Sequence, residues 1–487
     1  MRLAAIDLGS NSFRLEIAHV EGEQIVSETS WKETVRLAAG IDREGNLTLA
    51  KQEQALQALA RIAEKLDGFP RNHVRAVGTQ TLRAAKNSDQ FIEKAEKVLD
   101  CKIEILRGKE EARLVYEGCS YALPASDKRR LIIDIGGGST ECIVGIGHRP
   151  MVADSFHVGC VNTSVRFFDG GRISPDRILR AQLAAEAEFA GNIDPLLRFG
   201  WDEAYGSSGT AAAVSQVLLT QGLSDGTITR EGLEAIKREV LAGGKVSNIN
   251  VVGLKEDRKE VIAGGLAVLL AVFNKFGIKS MKPVGGALRY GILHDLVGRK
   301  SLVDPRKQSI DNLIKRFGAD PEQAARVSDL AVRFFVESTP GASVESRKLL
   351  EWSAQLIEIG LAVSKSDFHK HGEYLIRNCD IPGFSKYEQE TMASLVLAQR
   401  GNLKKVSHFI ESDENMRKVF CLRLATIIYH AKHDFDEVPF HVNIEGKKLR
   451  VSCPKQWLID HPLTDYLLKQ EAGIWNDMKF DMEIEAA

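Results

Sequence analysis

The chain has 487 residues, of which 44% are hydrophobic and 27% are charged, and its formal net charge is −1 at pH 7. This ordinary globular composition, long enough for about three domains, argues against a disordered chain and against a generally basic nucleic-acid binder. The longest apolar run, Gly264–Phe273, is far shorter than the ~20 residues that a bilayer span needs. The seven cysteines form no CxxC pair. We therefore expect a cytoplasmic protein with reduced thiols, no transmembrane segment and no nucleic-acid partner, while a peripheral contact with the inner membrane surface stays open.

Two short strands near the start of the chain predict a β-hairpin. The apolar run Leu3–Asp7 and the alternating run Phe13–Ala18 flank a tip made of Gly, Ser and Asn. The pattern returns at Leu131–Ile135 and Glu141–Ile146, again with an Asp-x-Gly turn between the strands. A duplicated domain explains this repeat most economically.

Helices and strands alternate through the first 300 residues, which is typical of an α/β fold. Periodicity predicts helices at 51–66 and 90–99, strands at 73–77 and 102–106, one helix from 175 to about 199, a turn at 205–210 leading into a helix, an apolar helix at 258–276 and a helix after Gly286. Helical periodicity dominates 308–378 and 387–430, and the tail mixes strands with a helix. We expect four domains: two α/β lobes at 1–125 and 126–303, an all-α domain at 304–434 and a small α/β domain at 435–487.

The two glycine-rich turns are candidate phosphate-binding sites. Glycine lets backbone N–H groups approach an anion, and a hydroxyl adds a further donor. One such turn could be only a glycine-rich hairpin, but two copies at the spacing of a duplicated domain favour phosphate binding. The candidate residues are Gly9, Ser10, Asn11, Ser12, Gly136, Gly137, Gly138, Ser139 and Thr140.

These paired turns resemble the phosphate motifs of the sugar-kinase, actin and heat-shock ATPase superfamily. A closer resemblance, to the exopolyphosphatase/guanosine pentaphosphate phosphohydrolase family, is carried by Val35–Gly40, Gly78–Arg83, Gly108–Leu114, Asp134–Glu141 and Gly285–Gly291. It implies two ribonuclease H-like (actin-like ATPase) lobes, followed by an all-α HD-like domain and a small α/β C-terminal domain. It also implies a homodimer.

The resemblance places the water-activating residue of the family on Glu111, the second Glu of Glu-Glu-Ala-Arg. Hydrolysis of a phosphoanhydride needs a carboxylate that orients a water opposite the leaving phosphate and takes its proton. On charge grounds alone, Glu110 and Glu111 would instead form the solvated start of a helix.

The resemblance also implies a magnesium site. Asp134 and Glu141 match family acids that bind or position Mg²⁺, Glu141 also counts among the catalytic residues, and Asp7 holds the matching place in the first turn. Mg²⁺ prefers one or two carboxylates together with waters and phosphate oxygens. A requirement for a monovalent cation such as K⁺ stays open.

Arg14 and Arg289 match family arginines that face the cleft, where guanidinium groups bind phosphate oxygens and neutralise developing charge. Arg83 is a further candidate phosphate contact, although an exposed surface arginine is an equal alternative. Ser208 and Gly209 lie where ATPases of the superfamily hold adenosine, and they are candidate phosphate contacts here.

The helical domain departs from the HD pattern of a metal site. Ile357 stands where the motif has His, and Glu358 stands where it has Asp. Because an imidazole ligand is missing, we interpret His369 and His371 as structural or phosphate-channel residues rather than as a second metal site.

The resemblance implies a Mg²⁺-dependent exopolyphosphatase that releases orthophosphate from inorganic polyphosphate. The alternatives are guanosine pentaphosphate 5′-phosphohydrolase, both activities in one protein, an actin-like ATPase, or a polyphosphate-binding module without catalysis. The balanced charge further predicts that basic side chains line one groove, with the excess acids on the outer surface.

Overall fold

A computed structural model describes residues 1–21, 24–300 and 304–486 of the chain. The chain divides into two units, Met1–Leu302 and Val303–Ala487. Among the described helices, none is long and apolar enough to cross a membrane.

The first sheet of the first unit has the strand order β3-β2-β1-β4-β5. Its elements are β1 (Arg2–Leu8), β2 (Ser12–Glu21), β3 (Gln24–Thr34), α1 (Leu49–Lys65), β4 (Val74–Gly78), α2 (Gln80–Ala84), α3 (Ser88–Leu99), β5 (Ile103–Ile105) and α4 (Gly108–Tyr121). The strands from β1 to β5 and the helices between them form what we call the first lobe. The apolar faces of α1 and α3 are buried because they pack against one face of this sheet. The sequence predicts the first hairpin and both helices but misses β3.

The second sheet has the order β10-β11-β9-β6-β7-β8. Its elements are β6 (Arg129–Ile135), β7 (Thr140–Ile146), β8 (Arg149–Phe156), α5 (Cys160–Phe167), α6 (Pro175–Ala190), α7 (Asp194–Phe199), β9 (Glu203–Ser207), α8 (Ser208–Thr220), β10 (Ile228–Thr229), α9 (Arg230–Gly243), α10 (Lys259–Phe276), β11 (Ser280–Pro283) and α11 (Ala287–Lys300). The elements from β6 to β11 form what we call the second lobe. Each sheet begins with three consecutive antiparallel strands and continues with two parallel ones, so the predicted duplication is confirmed. The second sheet adds β10, which pairs with β11 in antiparallel direction.

The prediction of one helix from Pro175 to about Phe199 is wrong. Helix α6 ends at Ala190 and α7 begins at Asp194. Pro195 lies in the first turn of α7, where its missing N–H costs nothing, but in a continuous helix its ring would clash with the preceding turn. The hydrophobic periodicity of the sequence did not indicate this break.

Helices α4 and α11 pack together between the two sheets, in a core formed by residues of both lobes. Their backbones approach closely at two glycines. A Cβ on Gly118 would overlap the carbonyl oxygen of Ala287, and a Cβ on Gly291 would overlap that of Leu114. The pair therefore forms the shared interior of the first unit.

The second unit combines helices with a small three-stranded sheet of order β12-β13-β14. Its elements are α12 (Pro305–Phe317), α13 (Pro321–Ser338), α14 (Val344–Gln355), α15 (Phe368–Asn378), α16 (Lys386–Ala398), α17 (Asp413–Ile428), β12 (His441–Glu445), β13 (Lys448–Cys453), α18 (Lys455–Asp460), α19 (Pro462–Asp477) and β14 (Asp481–Ala486). The strands share one apolar core with α13 and α17. At the position of the missing HD ligands, Ile357 is buried and the Glu358 carboxylate accepts a bond from Lys432 Nζ at 2.7 Å. The order of α/β lobes, helical region and small α/β region agrees with the predicted fold class, while the four domain boundaries stay predictions.

Candidate active site

The two hairpins place an acidic residue at the end of an inner strand of each sheet. Asp7 pairs with Arg14 across β1 and β2, and Asp134 pairs with Glu141 across β6 and β7. The two turns that follow meet face to face, since a Cβ on Gly137 would lie 2.9 Å from the backbone nitrogen of Asn11. Glycine is required there because the neighbour is backbone and cannot move aside.

A cavity of about 590 Å³ opens between the lobes at this meeting point. It is lined by the following predicted residues: Asp7, Gly9, Ser10, Asn11, Ser12, Arg14, Glu111, Asp134, Gly136, Gly137, Gly138, Ser139, Glu141, Ser208, Gly209 and Arg289. The tertiary structure therefore brings together sixteen of the eighteen candidates, which come from distant parts of the chain.

Thr140 and Arg83 are the two candidates outside the lining. Thr140 is fully buried and its hydroxyl donates to the carbonyl oxygen of Val158. Arg83 donates through Nη1 to the carbonyl oxygen of Leu106 and lies 3.3 Å from Oε2 of Glu111. Arg83 is therefore a partner of Glu111 rather than a wall of the cavity.

Glu111 lies in the first turn of α4, but it is not solvated. It is 6% exposed and Glu110 is 4% exposed, so the solvated alternative is wrong. Burial raises the pKa of Glu111 to about 7; the guanidinium of Arg83 opposes this shift and the carboxylate of Asp7 adds to it. A carboxyl group with a pKa near neutrality is suited to exchange a proton with water.

Of the other three carboxyl groups, Asp134 and Glu141 are buried as well and Asp7 is half-buried. Burial raises the pKa of Asp134 to about 6 and that of Glu141 well above its ordinary range, and for Glu141 the charges of Glu111 and Asp134 add to the rise. Burial also raises the pKa of Asp7, against the opposing charges of Arg289 and Arg14. A cation placed among these groups would stabilise their ionised forms.

Two observations bear on whether Mg²⁺ fits. Oδ1 of Asp7 and Oδ1 of Asp134 are buried without a hydrogen-bond partner, whereas Glu141 accepts a bond from Ser155 Oγ at 2.8 Å. The described part of the chain has no group of three His, Cys, Asp or Glu side chains that could hold a metal ion. Because Mg²⁺ is commonly held by one or two carboxylates with waters and substrate phosphates, Asp7 and Asp134 fit this role.

Arg14 and Arg289 both line the cavity. Arg289 Nε lies 3.3 Å from Glu16 Oε2, and Arg14 Nε lies 3.5 Å from Ser12 Oγ. Burial lowers the pKa of Arg14, and the nearby charge of Arg289 lowers it further. Two guanidinium groups held this close favour a shared anion.

Ser208 and Ala287 each begin a helix at the cavity wall, with φ of 68° and 49° respectively. Left-handed backbone is uncommon outside glycine and clusters at functional sites. The Ser208 hydroxyl donates to the carbonyl oxygen of Ile135 at 2.7 Å, which fixes the start of α8 beside Asp134.

Sequence reasoning missed three further cations that line the cavity: Lys32, Lys255 and Arg258. The guanidinium of Arg258 lies so close to Gly209 that any Cβ there would overlap it. Neither Lys255 nor Arg258 forms an ion pair with a residue that the structure describes. Lys255 and Arg258 belong to a Lys-Glu-Asp-Arg run that resembles any exposed helix start. No local pattern therefore indicated that they line a cavity.

The expectation that the excess acids lie on the outer surface needs correction. Five cations line the cavity, but so do five acidic residues: Asp7, Glu111, Asp134, Glu141 and Asp257. Basic side chains line the cavity, as expected, but an equal number of acidic side chains lines it with them, so the formal charges of the described lining balance.

Comparisons with known proteins agree with this geometry. The model of the Ppx/GppA phosphatase family matches residues 17–300, and the model of Ppx/GppA phosphatase domain III matches 306–472. A guanosine-5′-triphosphate,3′-diphosphate pyrophosphatase of Aeromonas hydrophila is 35% identical over 94% of each chain. Its namesake in Aeromonas salmonicida is 34% identical over 96% of this chain and 95% of its own.

Two crystal structures share the fold. An exopolyphosphatase from Cytophaga hutchinsonii has a TM-score of 0.56 at 22% identity, covering 61% of this chain and 98% of its own. A family member from Aquifex aeolicus has a TM-score of 0.51 at 23% identity, covering 62% and 99%. The two lobes thus have the actin-like α/β fold of a phosphoanhydride hydrolase. The chain belongs to the Ppx/GppA phosphatase family.

Proposed function

We propose that this protein hydrolyses the terminal 5′ phosphoanhydride bond of guanosine 5′-triphosphate 3′-diphosphate, releasing orthophosphate and guanosine 5′-diphosphate 3′-diphosphate. The observation that carries the proposal is the placement of the Glu111 carboxylate in one cavity with both glycine-rich turns and with Arg14 and Arg289. The activity in the names of the two Aeromonas relatives, each matched over nearly its whole length, supports this substrate.

The side chains divide the work of the reaction. Backbone N–H groups of the two turns and the guanidiniums of Arg14 and Arg289 bind the terminal phosphate and its developing charge. Ionised Glu111 accepts a proton from water as the water oxygen bonds to phosphorus. The bond between that phosphorus and its bridging oxygen breaks, and the electron pair leaves with the shortened phosphate chain.

We propose Mg²⁺ as the cofactor, held by Asp7 and Asp134 with Glu141 nearby. Bound there, Mg²⁺ would neutralise charge on the phosphate oxygens and so favour displacement. We expect removal of divalent cations by EDTA to abolish phosphate release and added Mg²⁺ to restore it. Unchanged release in EDTA would contradict this assignment. A dependence on K⁺ stays open and is tested by replacing K⁺ with a bulky organic cation.

Inorganic polyphosphate is the second candidate substrate. No aromatic side chain of the described residues lines the cavity, so no ring is available there to stack on a purine. Lys32, Lys255 and Arg258 suit a further phosphate group, which both substrates possess.

One experiment separates these substrates and tests the proposed base. Phosphate release by the purified protein is measured from each substrate alone and with the other as competitor. We expect the higher kcat/KM with the guanosine substrate; preference for long-chain polyphosphate would transfer the assignment to the second candidate. Glu111→Gln should lose activity on both, while Glu93→Gln, an exposed glutamate of α3, should retain it. Full activity of Glu111→Gln would reject the mechanism.

The homodimer stays a prediction. Light scattering coupled to size exclusion measures it directly, and the mass of a single 53.8 kDa chain at micromolar concentration would contradict it.

A further inference from the structure

A buried carboxylate outside the cavity lining joins α11 to α4. Asp295, on α11, has a fully buried side chain and accepts bonds from Arg75 Nη1 at 2.5 Å, Arg113 Nη2 at 2.5 Å and Arg299 Nε at 2.8 Å. Burial alone would raise the pKa of Asp295, but the charges of Arg75, Arg299 and Arg113 hold it far below its usual range. This carboxylate is therefore an ionised centre shared by three cations.

The three elements that meet at Asp295 also carry groups of the cavity. Arg75 is on β4, which pairs with the strand of Asp7 in parallel register. Arg113 is on α4, half a turn beyond Glu111, and Asp295 itself follows Arg289 on α11. One ion-pair network thus joins three elements: β4, which lies beside the strand of Asp7, α4, which carries Glu111, and α11, which carries Arg289.

Arg113 is the connection to α4. Its fork binds Glu110 through Nε and Nη2 at 2.9 and 2.8 Å, Glu117 through Nη1 at 2.8 Å, and Asp295 through Nη2. A planar guanidinium with this many partners has one orientation, unlike an ammonium group on a flexible stem. Because apolar residues can replace buried ion pairs without loss of stability, a network of this kind is better explained by the geometry it sets.

We propose that Asp295 is a positioning residue for the hydrolysis: through Arg113 it sets the place of α4 against α11, and thereby the distance of the Glu111 carboxylate from the phosphate held by Arg289. The inference rests on the proposed function, since it presumes that Glu111 activates the water. Arg83 contacts Glu111 directly at 3.3 Å and is a separate support of this carboxylate.

The network contains a matched control. Glu104, on β5, accepts bonds from Arg75 Nε and Nη2 at 3.2 and 2.9 Å and lies 3.7 Å from Arg299 Nη2. It belongs to the same network, but among the described residues its side chain bonds to Arg75 and Arg299 and not to α4. Removing its charge perturbs the network from the side that does not reach Glu111.

The test compares Asp295→Asn with Glu104→Gln in the full-length protein, using kcat, KM and the melting temperature. We expect both variants to have a lower melting temperature than the wild type. Only Asp295→Asn should lose kcat, on the order of 10- to 100-fold, at an unchanged KM, as is usual when the support of a reacting group is removed. Equal loss of kcat in both variants, or a loss confined to KM, would overturn the proposal.

A second variant keeps the inference testable if Asp295→Asn does not fold. Arg113→Lys keeps the positive charge but loses the fork, and it should show the same loss of kcat. A folded Arg113→Lys protein with wild-type kcat rejects the inference. Wild-type protein that hydrolyses neither substrate rejects the proposed function itself, whereas an active wild type with an unaffected Asp295→Asn rejects this inference alone.

Discussion

Glu111 and Arg83 show how single side chains set the chemistry of the cavity. The pKa of Glu111 rises to about 7 because the group is buried, and Arg83 at 3.3 Å limits the rise. Sequence reasoning named both residues, Arg83 as a candidate phosphate contact with an exposed surface arginine as the alternative. Its bond to Glu111 joins residues 28 positions apart, which no local pattern reveals.

The first prediction concerns this pair. Arg83→Met removes the charge that lowers the pKa of Glu111, so the base stays protonated to higher pH. We expect the acid limb of the pH profile of kcat/KM, which reports the free enzyme, to move to higher pH. Arg83→Lys keeps the charge and should leave the limb near its wild-type position. A limb that stays in place in Arg83→Met would show that Arg83 does not act on the base.

At the scale of elements, α4 and α11 depend on contact between their backbones. Gly118 and Gly291 permit this contact, and it holds the helices that carry Glu111 and Arg289 between the two sheets. In sequence, Gly118 is only a weak point in a helix, since glycine lowers helix propensity.

The second prediction reverses the usual effect of Gly→Ala in a helix. Gly118→Ala should lower the free energy of unfolding by about 1–3 kcal/mol, because the new methyl overlaps the carbonyl oxygen of Ala287. Gly473→Ala, in α19, meets no atom within 4 Å and should raise stability by about 0.5–1 kcal/mol. Denaturant unfolding measures both. An unchanged free energy of unfolding in Gly118→Ala would mean that the two helices separate easily.

The third prediction concerns the start of α12. The Asp304 carboxylate caps the helix by accepting from the Arg306 backbone N–H, and it also binds the Arg306 guanidinium and Lys348 Nζ at 2.8 and 2.9 Å. Burial would raise the pKa of Asp304, but hydrogen bonds from Arg306 and Lys348 lower it from 3.8 to about 2. A lowered pKa means that this stabilisation is complete above pH 3.8 and is lost as the pH falls toward 2.

We therefore expect the stability difference between wild type and Asp304→Asn to be constant from pH 7 to 5 and to shrink below pH 3.8. Denaturant unfolding at several pH values, followed by tryptophan fluorescence, measures this difference. A difference that grows on acidification would contradict the assignment. Asp311→Asn, an exposed position of the same helix, serves as the control.

At the scale of the whole first unit, two ion pairs among the described residues cross between the lobes. Lys32 Nζ lies 2.6 Å from Asp257 Oδ2, and Arg36 Nη1 lies 2.5 Å from Glu260 Oε2. Lys32 and Asp257 both line the cavity, so this contact joins the two lobes at its wall. Exposed pairs of this kind contribute little to stability, but they can bias the separation of the lobes.

The fourth prediction uses a charge swap. Lys32→Glu and Asp257→Lys should each lower kcat/KM, and the double variant, which restores opposite charges, should recover part of the loss. A double-mutant cycle should give a coupling of about 0.5 kcal/mol or more for residues in contact. Additive effects of the two substitutions would mean that the pair does not act across the cavity.

The sequence alone determined the duplicated hairpins and the two glycine-rich turns, because alternating strands, turn glycines and apolar helices are local patterns, read within a dozen residues. Glu111, Arg14 and Arg289 were assigned through the resemblance to a known family. The break between α6 and α7 escaped it, because Pro195 at a helix start hardly disturbs the periodicity on either side. The solvated interpretation of Glu110 and Glu111 failed because burial is not a local property.

Only the tertiary structure decided how the two halves meet. It brought Gly137 against Asn11, placed Arg258 over Gly209, and joined Asp295 to Arg75 across 220 positions of the chain. These contacts depend on how sheets and helices pack in three dimensions, and pairs so far apart leave no periodic trace in a single sequence. The glycine-rich turns of the cavity could thus be predicted from residue types. The contacts that hold the cavity groups in place arise from packing alone.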